Sequence, residues 1–149
     1  MADGIIGYLQ LFGIHGECTD PRFPAYIPVL NWRYADGNSA AHFSGAGGGA
    51  GKVTMAEIQV ESPLEMSSPK LQECCASGRH IKSGKLVSLH DGSVFFRATF
   101  EDLLVGTYQL NSEMSCTYAL TFRRIETTYD VRVANATVKQ IRWSFDLSK

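Results

Sequence analysis

The sequence predicts a mainly β fold: about eight strands and one short α-helix, arranged as a closed or nearly closed barrel or as a sandwich. Three observations predict it. Apolar and polar residues alternate with period two through most of the longer segments. Turn chemistry punctuates them, above all the Asp91-Gly92 pair between two alternating runs. Only residues 68–78 combine helical apolar spacing with start and stop signals. Strands that are apolar on one side must bury that side, so the sheet has to curl on itself or stack on a second one.

Residues 8–12 (YLQLF) read as a first strand and residues 26–34 (YIPVLNWRY) as a second. Alternation in the second puts Tyr26, Leu30, Trp32 and Tyr34 on one face. Its other face begins apolar at Ile27 and Val29 and turns polar at Asn31 and Arg33. Residues 35–51 then read as a loop, and loops of that length are usually functional or disordered. Residues 52–61 (KVTMAEIQVE) form the third strand, with an apolar phase slip between Met55 and Ile58 that predicts a bulge. The helix takes Ser68 as N-cap and Pro69 as first helical residue. Leu71, Cys74 and Cys75 make its apolar face, and Gly78 ends it before Arg79, His80 and Lys82. Strand pattern resumes over residues 85–101, with the hairpin at Asp91-Gly92, and continues at 103–110, 116–131 and 137–147. In 116–131, Tyr118, Leu120 and Phe122 share a face, then the phase moves to Ile125, Thr127 and Tyr129 across Arg123-Arg124, which predicts a second bulge. In the last run Ile141, Trp143, Phe145 and Leu147 alternate with Gln140, Arg142, Ser144 and Asp146. Bulges supply the bending that closure of a barrel needs. No internal repeat or linker divides the chain, so residues 1–149 read as a single domain.

Composition excludes several classes. A chain of 149 residues buries about two thirds of its unfolded surface, enough for a core without staples. A net charge of −1 gives no field that would draw nucleic acid or an anionic membrane. No run of 18 apolar residues exists to span a bilayer, and the first residues lack the basic segment of a secretory signal. Cys18, Cys74, Cys75 and Cys116 form no C-x-x-C pair and read as free thiols, with no metal or cofactor expected. Asn135-Ala136-Thr137 matches a glycosylation acceptor, which has no meaning without export through a secretory route.

The stretch HFSGAGGGAGKVTM (residues 42–55) poses the sharpest chemical question. A phosphate-binding loop needs a hydroxyl residue after Gly-Lys and a helix behind it; here Val53 follows Lys52 and the next residues read as strand. The stretch is therefore a loop and not a nucleotide cradle. A cysteine nucleophile activated by His80 lacks an orienting third group, and acids such as Glu57 and Glu101 are scattered on strands. No catalytic residue is assigned.

Several segments in order carry a resemblance. GIHGECTD, IPVLNWRY, GGGAGKVTMAEIQV, SPKLQECCASGRHIKSGKL, FEDLLVGTYQL and LTFRRIETTY follow one another over most of residues 4–130. This series resembles the Hcp (haemolysin-coregulated protein) family, the inner-tube component of type VI secretion systems. The resemblance implies a small β-barrel with one flanking helix, assembled into hexameric rings that stack into a tube. It implies as partners a contractile sheath, a VgrG-type spike and effector proteins carried in the lumen, and it implies no enzyme activity. Assembly would take place in the cytoplasm, followed by secretion without a signal peptide. The glycine-rich stretch, with Gly45, Gly47, Gly48, Gly49, Gly51 and Lys52, is similar to the family's extended loop for contact between rings. In the family's W-x-W motif the middle residue faces the lumen. The motif here is Trp32-Arg33-Tyr34, so Arg33, with Asn31 beside it, becomes the candidate for cargo binding. Either Arg33 favours acidic or amide-rich cargo, or it pairs with a nearby glutamate. Residues 131–149 match the family only loosely. Two other readings are a tail-tube protein of a phage-like contractile particle and a small β-sandwich that binds ligands through its aromatic residues.

Overall fold

The computed structural model describes residues 4–38 and 53–147. Eight strands and one helix follow in the order β1 (Gly7–Leu11), β2 (Ile27–Val29), β3 (Asn31–Asn38), β4 (Val53–Pro63), α1 (Ser68–Ser77), β5 (Ile81–His90), β6 (Ser93–Asn111), β7 (Ser115–Val133) and β8 (Ala136–Asp146). All strand pairs are antiparallel, in one sheet ordered β2-β1-β5-β6-β7-β4-β3, with β8 added to β7. The sandwich alternative, which needs two sheets, is thereby replaced by one sheet bent round its own apolar side.

The predicted barrel is not closed by hydrogen bonds. Its two ends, β2 and β3, are successive pieces of one segment that changes partner at Leu30. Val29 accepts from the Ile6 amide on the β1 side, while the Leu30 amide donates to the Glu61 carbonyl of β4 at 2.7 Å. No residue of the segment is paired on both sides, so covalent continuity and not a ladder joins the ends. The crossing also flips the pleat. Ile27 and Val29 are buried, and so are the inner sides of Trp32 and Tyr34, whereas the sequence places these two pairs on opposite faces. Leu30 is the residue at which the phase changes.

The number of strands is as expected, but by one division and one merger. The second predicted strand is β2 plus β3, and the runs 93–101 and 103–110 are the single strand β6. Asp102, with φ 57°, kinks β6 without ending it. The inward phase accordingly changes from Ala98 and Phe100 to Leu103 and Val105. Opposite it, β7 changes from Phe122 to Ile125, yet Glu101↔Arg124 and Leu103↔Phe122 keep one register. The bulge expected at Arg123-Arg124 is therefore a kink shared by two strands. Register shifts fall elsewhere, between Ser88 and Leu89 on β5, between Val105 and Thr107 on β6, between Val131 and Arg132 on β7, and between Gly37 and Asn38 on β3 opposite Met55 and Val53. The bulge expected between Met55 and Ile58 is absent, since that stretch pairs with Tyr34 to Gly37 in unbroken register; the irregularity of this pair lies before Met55. The loop expected from residue 35 begins later, because 35–38 still pair with β4.

Helix α1 starts one residue earlier in capping terms than expected: Ser67 is the N-cap and Ser68 the first helical residue. Ser68 Oγ accepts from the Glu65 amide at 3.0 Å, so it ties down the turn before the helix. Gly78, at φ 67°, returns its N–H to the Cys74 carbonyl at 3.0 Å, a left-handed stop that favours glycine. Leu71 and Cys74 enter the core, while Cys75 is only half-buried at its margin. The core itself is Leu9, Leu11, Ile27, Val29, Ile58, Val60, Leu86, Phe100, Leu103, Tyr118, Leu120 and Ile125. Tyr118 keeps its hydroxyl satisfied there by sharing a 2.9 Å hydrogen bond with Ser62.

Candidate functional site

The outer face of β3, β4 and β7 is polar because each strand alternates against the core. Register places Asn31 opposite Glu61, Arg33 opposite Gln59 and Ala35 opposite Glu57; the row continues to Thr117, Ala119 and Thr121 on β7. Arg33 is displayed by its neighbours. Trp32 stacks on Phe96 at 5.2 Å and donates its indole N–H to Ser88 Oγ at 3.1 Å. Tyr34 lies against Phe122, its centroid 6.2 Å away, and donates its hydroxyl to Asp36. Burial, then that bond, pushes the Tyr34 hydroxyl up to about 12. With both aromatic residues fixed inward, the pleat leaves Arg33 outward.

The Arg33 guanidinium donates to Gln59 Oε1 at 2.7 Å, and among the described residues it has no carboxylate partner. Asn31 Oδ1 accepts from the Trp32 amide. Beside them, Glu61 accepts from Ser115 Oγ at 3.3 Å, and Asn111 donates to Ser115 and Thr117. The structure thus brings Arg33 and Asn31 to one wall of amides, hydroxyls and isolated carboxylates, around a shallow depression of about 260 Å³. The six stacking residues Gly45, Gly47, Gly48, Gly49, Gly51 and Lys52 lie outside the described residues.

Among the described residues three strands are paired on one side only: β2 to β1, β3 to β4 and β8 to β7. Along β8 the core side of the sheet runs on without a layer to cover it. Phe145, opposite Ile125, packs on the core, but Trp143, opposite Thr127, and Ile141, opposite Tyr129, are exposed. On the reverse side Asp130 is buried and receives both Arg97, at 3.1 Å, and the Gln140 amide, at 3.0 Å. This pair fixes the β6–β7–β8 ribbon, and nothing in the local alternation marks Asp130 as buried.

A second cluster absorbs the GIHGE segment. Glu17 accepts from the Met66 amide at 2.6 Å, and Glu65 accepts from the Ser67 amide at 2.7 Å. Gly16 packs so closely that a Cβ there would stand 2.5 Å from the Tyr26 carbonyl and 2.8 Å from Glu65 Oε1. Glu65 Oε1 is buried with no partner, and burial, with Glu17 nearby, raises its carboxyl above the usual range. Of the residues weighed for catalysis, His80 Nδ1 meets Asp102, Cys74 Sγ meets Arg79 at 3.5 Å, and Glu101 is held by Arg123 at 2.9 Å. Among the described residues no helix is long and apolar enough to cross a membrane.

The family model for "Type VI secretion system effector, Hcp" matches residues 8–129. Hcp1 from Salmonella typhimurium has a similar structure, with a TM-score of 0.77, 26% identity, and coverage of 97% of this chain and 96% of that one. Two others share the fold: a type six secretion system protein, with TM-score 0.85, 22% identity and coverage of 97% and 96%, and Hcp2 from Salmonella typhimurium, with TM-score 0.73, 23% identity and coverage of 97% of each chain. No curated protein sequence matches the chain. The chain belongs to the Hcp family of type VI secretion proteins.

Proposed function

We propose that six copies of this chain join edge to edge into a ring, with the β3–β4–β7 polar face turned to the bore, and that such rings stack into the tube of a type VI secretion system. One observation carries this reading within the family match: among the described residues the sheet keeps strands paired on one side only, one of which, β8, bears exposed Ile141 and Trp143. An exposed apolar edge strand is an aggregation hazard unless another chain covers it. Two different edges, β8 of one copy and β3 of the next, make a head-to-tail contact, which closes when the rotation is right. The near-neutral charge of the chain leaves stacking unopposed.

A bore lined by this face offers amides, hydroxyls and one cation per copy to an effector in transit. Arg33 is held to a neutral amide, so its charge remains available to acidic or amide-rich cargo. The outward partners are a contractile sheath and a VgrG-type spike, with assembly in the cytoplasm before secretion. Native mass measurement and electron microscopy test the ring: a mass of six chains with an open centre is expected, and a well-folded monomer at every concentration overturns it. Arg33→Asp in intact rings is expected to weaken retention of acidic effectors; unchanged retention removes Arg33 from the cargo site.

A further inference from the structure

Beyond the kink at Asp102, the outer side of β5, β6, β7 and β8 holds a depression of about 280 Å³. It is lined by Lys85, Arg97 and Arg142, by the hydroxyl residues Thr99 and Thr128, and by Glu126, and it shares no residue with the Arg33 wall. Register sets its layout. Arg97, Thr128 and Arg142 form one row across β6, β7 and β8, and Lys85, Thr99 and Glu126 form the next across β5, β6 and β7. At ordinary strand spacing the two arginines start about 10 Å apart, with Glu126 diagonally between them. We propose that this depression binds an extended acidic segment of another protein, two carboxylates of the segment meeting Arg97 and Arg142 and a backbone N–H meeting Glu126. The site lies within one chain and does not require the ring.

The arginines are placed before any partner arrives. Asp130 is 3% exposed although it belongs to the outer side of the sheet. Its two oxygens accept from Arg97 Nη1 at 3.1 and 3.2 Å, and one of them also accepts from the Gln140 amide at 3.0 Å. Gln140 in turn accepts from Arg142 Nη2 at 3.3 Å. One line of hydrogen bonds thus ties both guanidiniums to a buried anion. A buried ion pair adds little net stability over an apolar pair, so the main effect of this line is position. Each guanidinium carries five N–H donors and keeps some for a partner, and little ordering remains to be done on binding.

The donor set selects the ligand class. Counting Asp130 beneath, three cations stand against two carboxylates, a surplus of one positive charge in a chain whose net charge is −1. So small a surplus does not gather anions by field alone. Recognition comes from directed, charge-assisted hydrogen bonds, for which guanidinium and carboxylate are matched. A bare phosphate dianion would meet Glu126 as well as the arginines, whereas an extended peptide brings N–H donors along with its carboxylates.

The test uses the full chain and a fluorescein-labelled hexaglutamate peptide, read by fluorescence anisotropy, with native mass recorded for every variant. The native chain is expected to bind the peptide. Lys85→Glu with Arg142→Glu is expected to weaken binding about tenfold, and Lys85→Glu alone, three strands from the β8 edge, about threefold. Lys70→Glu with Lys82→Glu makes the same change of charge elsewhere and is expected to alter binding less than about twofold. Inorganic phosphate at the peptide's concentration is expected not to displace it. Equal losses in the two double variants, no binding by the native chain, or displacement by phosphate overturns the site. The ring is judged separately by the native mass, and none of these outcomes touches it.

Discussion

Ile125 and Trp143 stand one pleat apart on the same side of the same ribbon, and they meet opposite fates. Ile125 faces Phe100 across β6 and lies within the core. Trp143, opposite Thr127 on β8, stands nearly half exposed. Both obey the same alternation. What differs is what they meet: Ile125 lies within the cluster of buried core residues, and Trp143, one pair further along the ribbon, lies beyond it. Within one sheet, an apolar side is thus core at one end and unpartnered surface at the other. The lesson is that alternation says which way a side chain points, and only the rest of the fold says what it meets.

The comparison breaks most visibly at the core end. Leu120→Ala removes a fully buried side chain and is expected to destabilise the isolated chain by about 2–5 kcal/mol, read as a fall in Tm and in the urea midpoint. Loss of less than that would place Leu120 in a region able to collapse. Asp130→Ala tests the ribbon's polar side: it strips Arg97 and Gln140 of a shared acceptor, and because Arg97 is one-third exposed the expected effect is about 1–2 kcal/mol. Recovery by Asp130→Asn should be partial, since the amide oxygen still accepts but the charge is lost and an NH2 replaces the second acceptor facing Arg97.

Glu65→Gln probes the cluster of Glu17 and Glu65 under the Met66 and Ser67 amides, and its sign is fixed by linkage. The folded chain raises the Glu65 carboxyl, so the charged form is disfavoured and stability falls as pH rises through the raised value. The variant should therefore gain Tm relative to the native chain at pH 7 and lose that gain below the ordinary glutamate range. An equal difference at both pH values would mean that the carboxyl titrates normally. The smallest expected change in chain stability, within about 0.5 kcal/mol, belongs to Ile141→Thr with Trp143→Thr. The same double variant should nonetheless shift the native mass from rings towards single chains, which separates a surface waiting for a partner from a core position.

Much of the fold was legible. The β content, the lone helix with its Gly78 stop, the Asp91-Gly92 hairpin and the outward aim of Asn31 and Arg33 follow from local rules of turn chemistry and pleat. The errors share a cause. Leu30 and Asp102 are ordinary in sequence, yet one divides a strand in its pairing and the other bends a strand without ending it. The hydrogen-bond partner of a residue is chosen by distant strands, here Glu61 for Leu30 and Arg124 for Glu101. Asp130 and Glu17 were invisible for the same reason, since their partners, Arg97 and Gln140 for the first and the Met66 amide for the second, lie far along the chain or across strands. Arg33 shows the limit at a single site: the sequence offered cargo or a glutamate, and the structure gave it Gln59.

By itself the sequence determined the class of structure, the direction of most side chains and, through the ordered motifs, the family, because each of these depends on neighbours within a few residues or on inherited segments. Tertiary structure alone decided that the sheet is joined through Leu30 without a closed ladder, that β3 and β8 are each paired on one side only among the described residues, and that apolar residues at β8 and near Met114 remain at the surface. Those facts depend on which segments meet in space, and a chain's meeting points are set by the packing of the whole core.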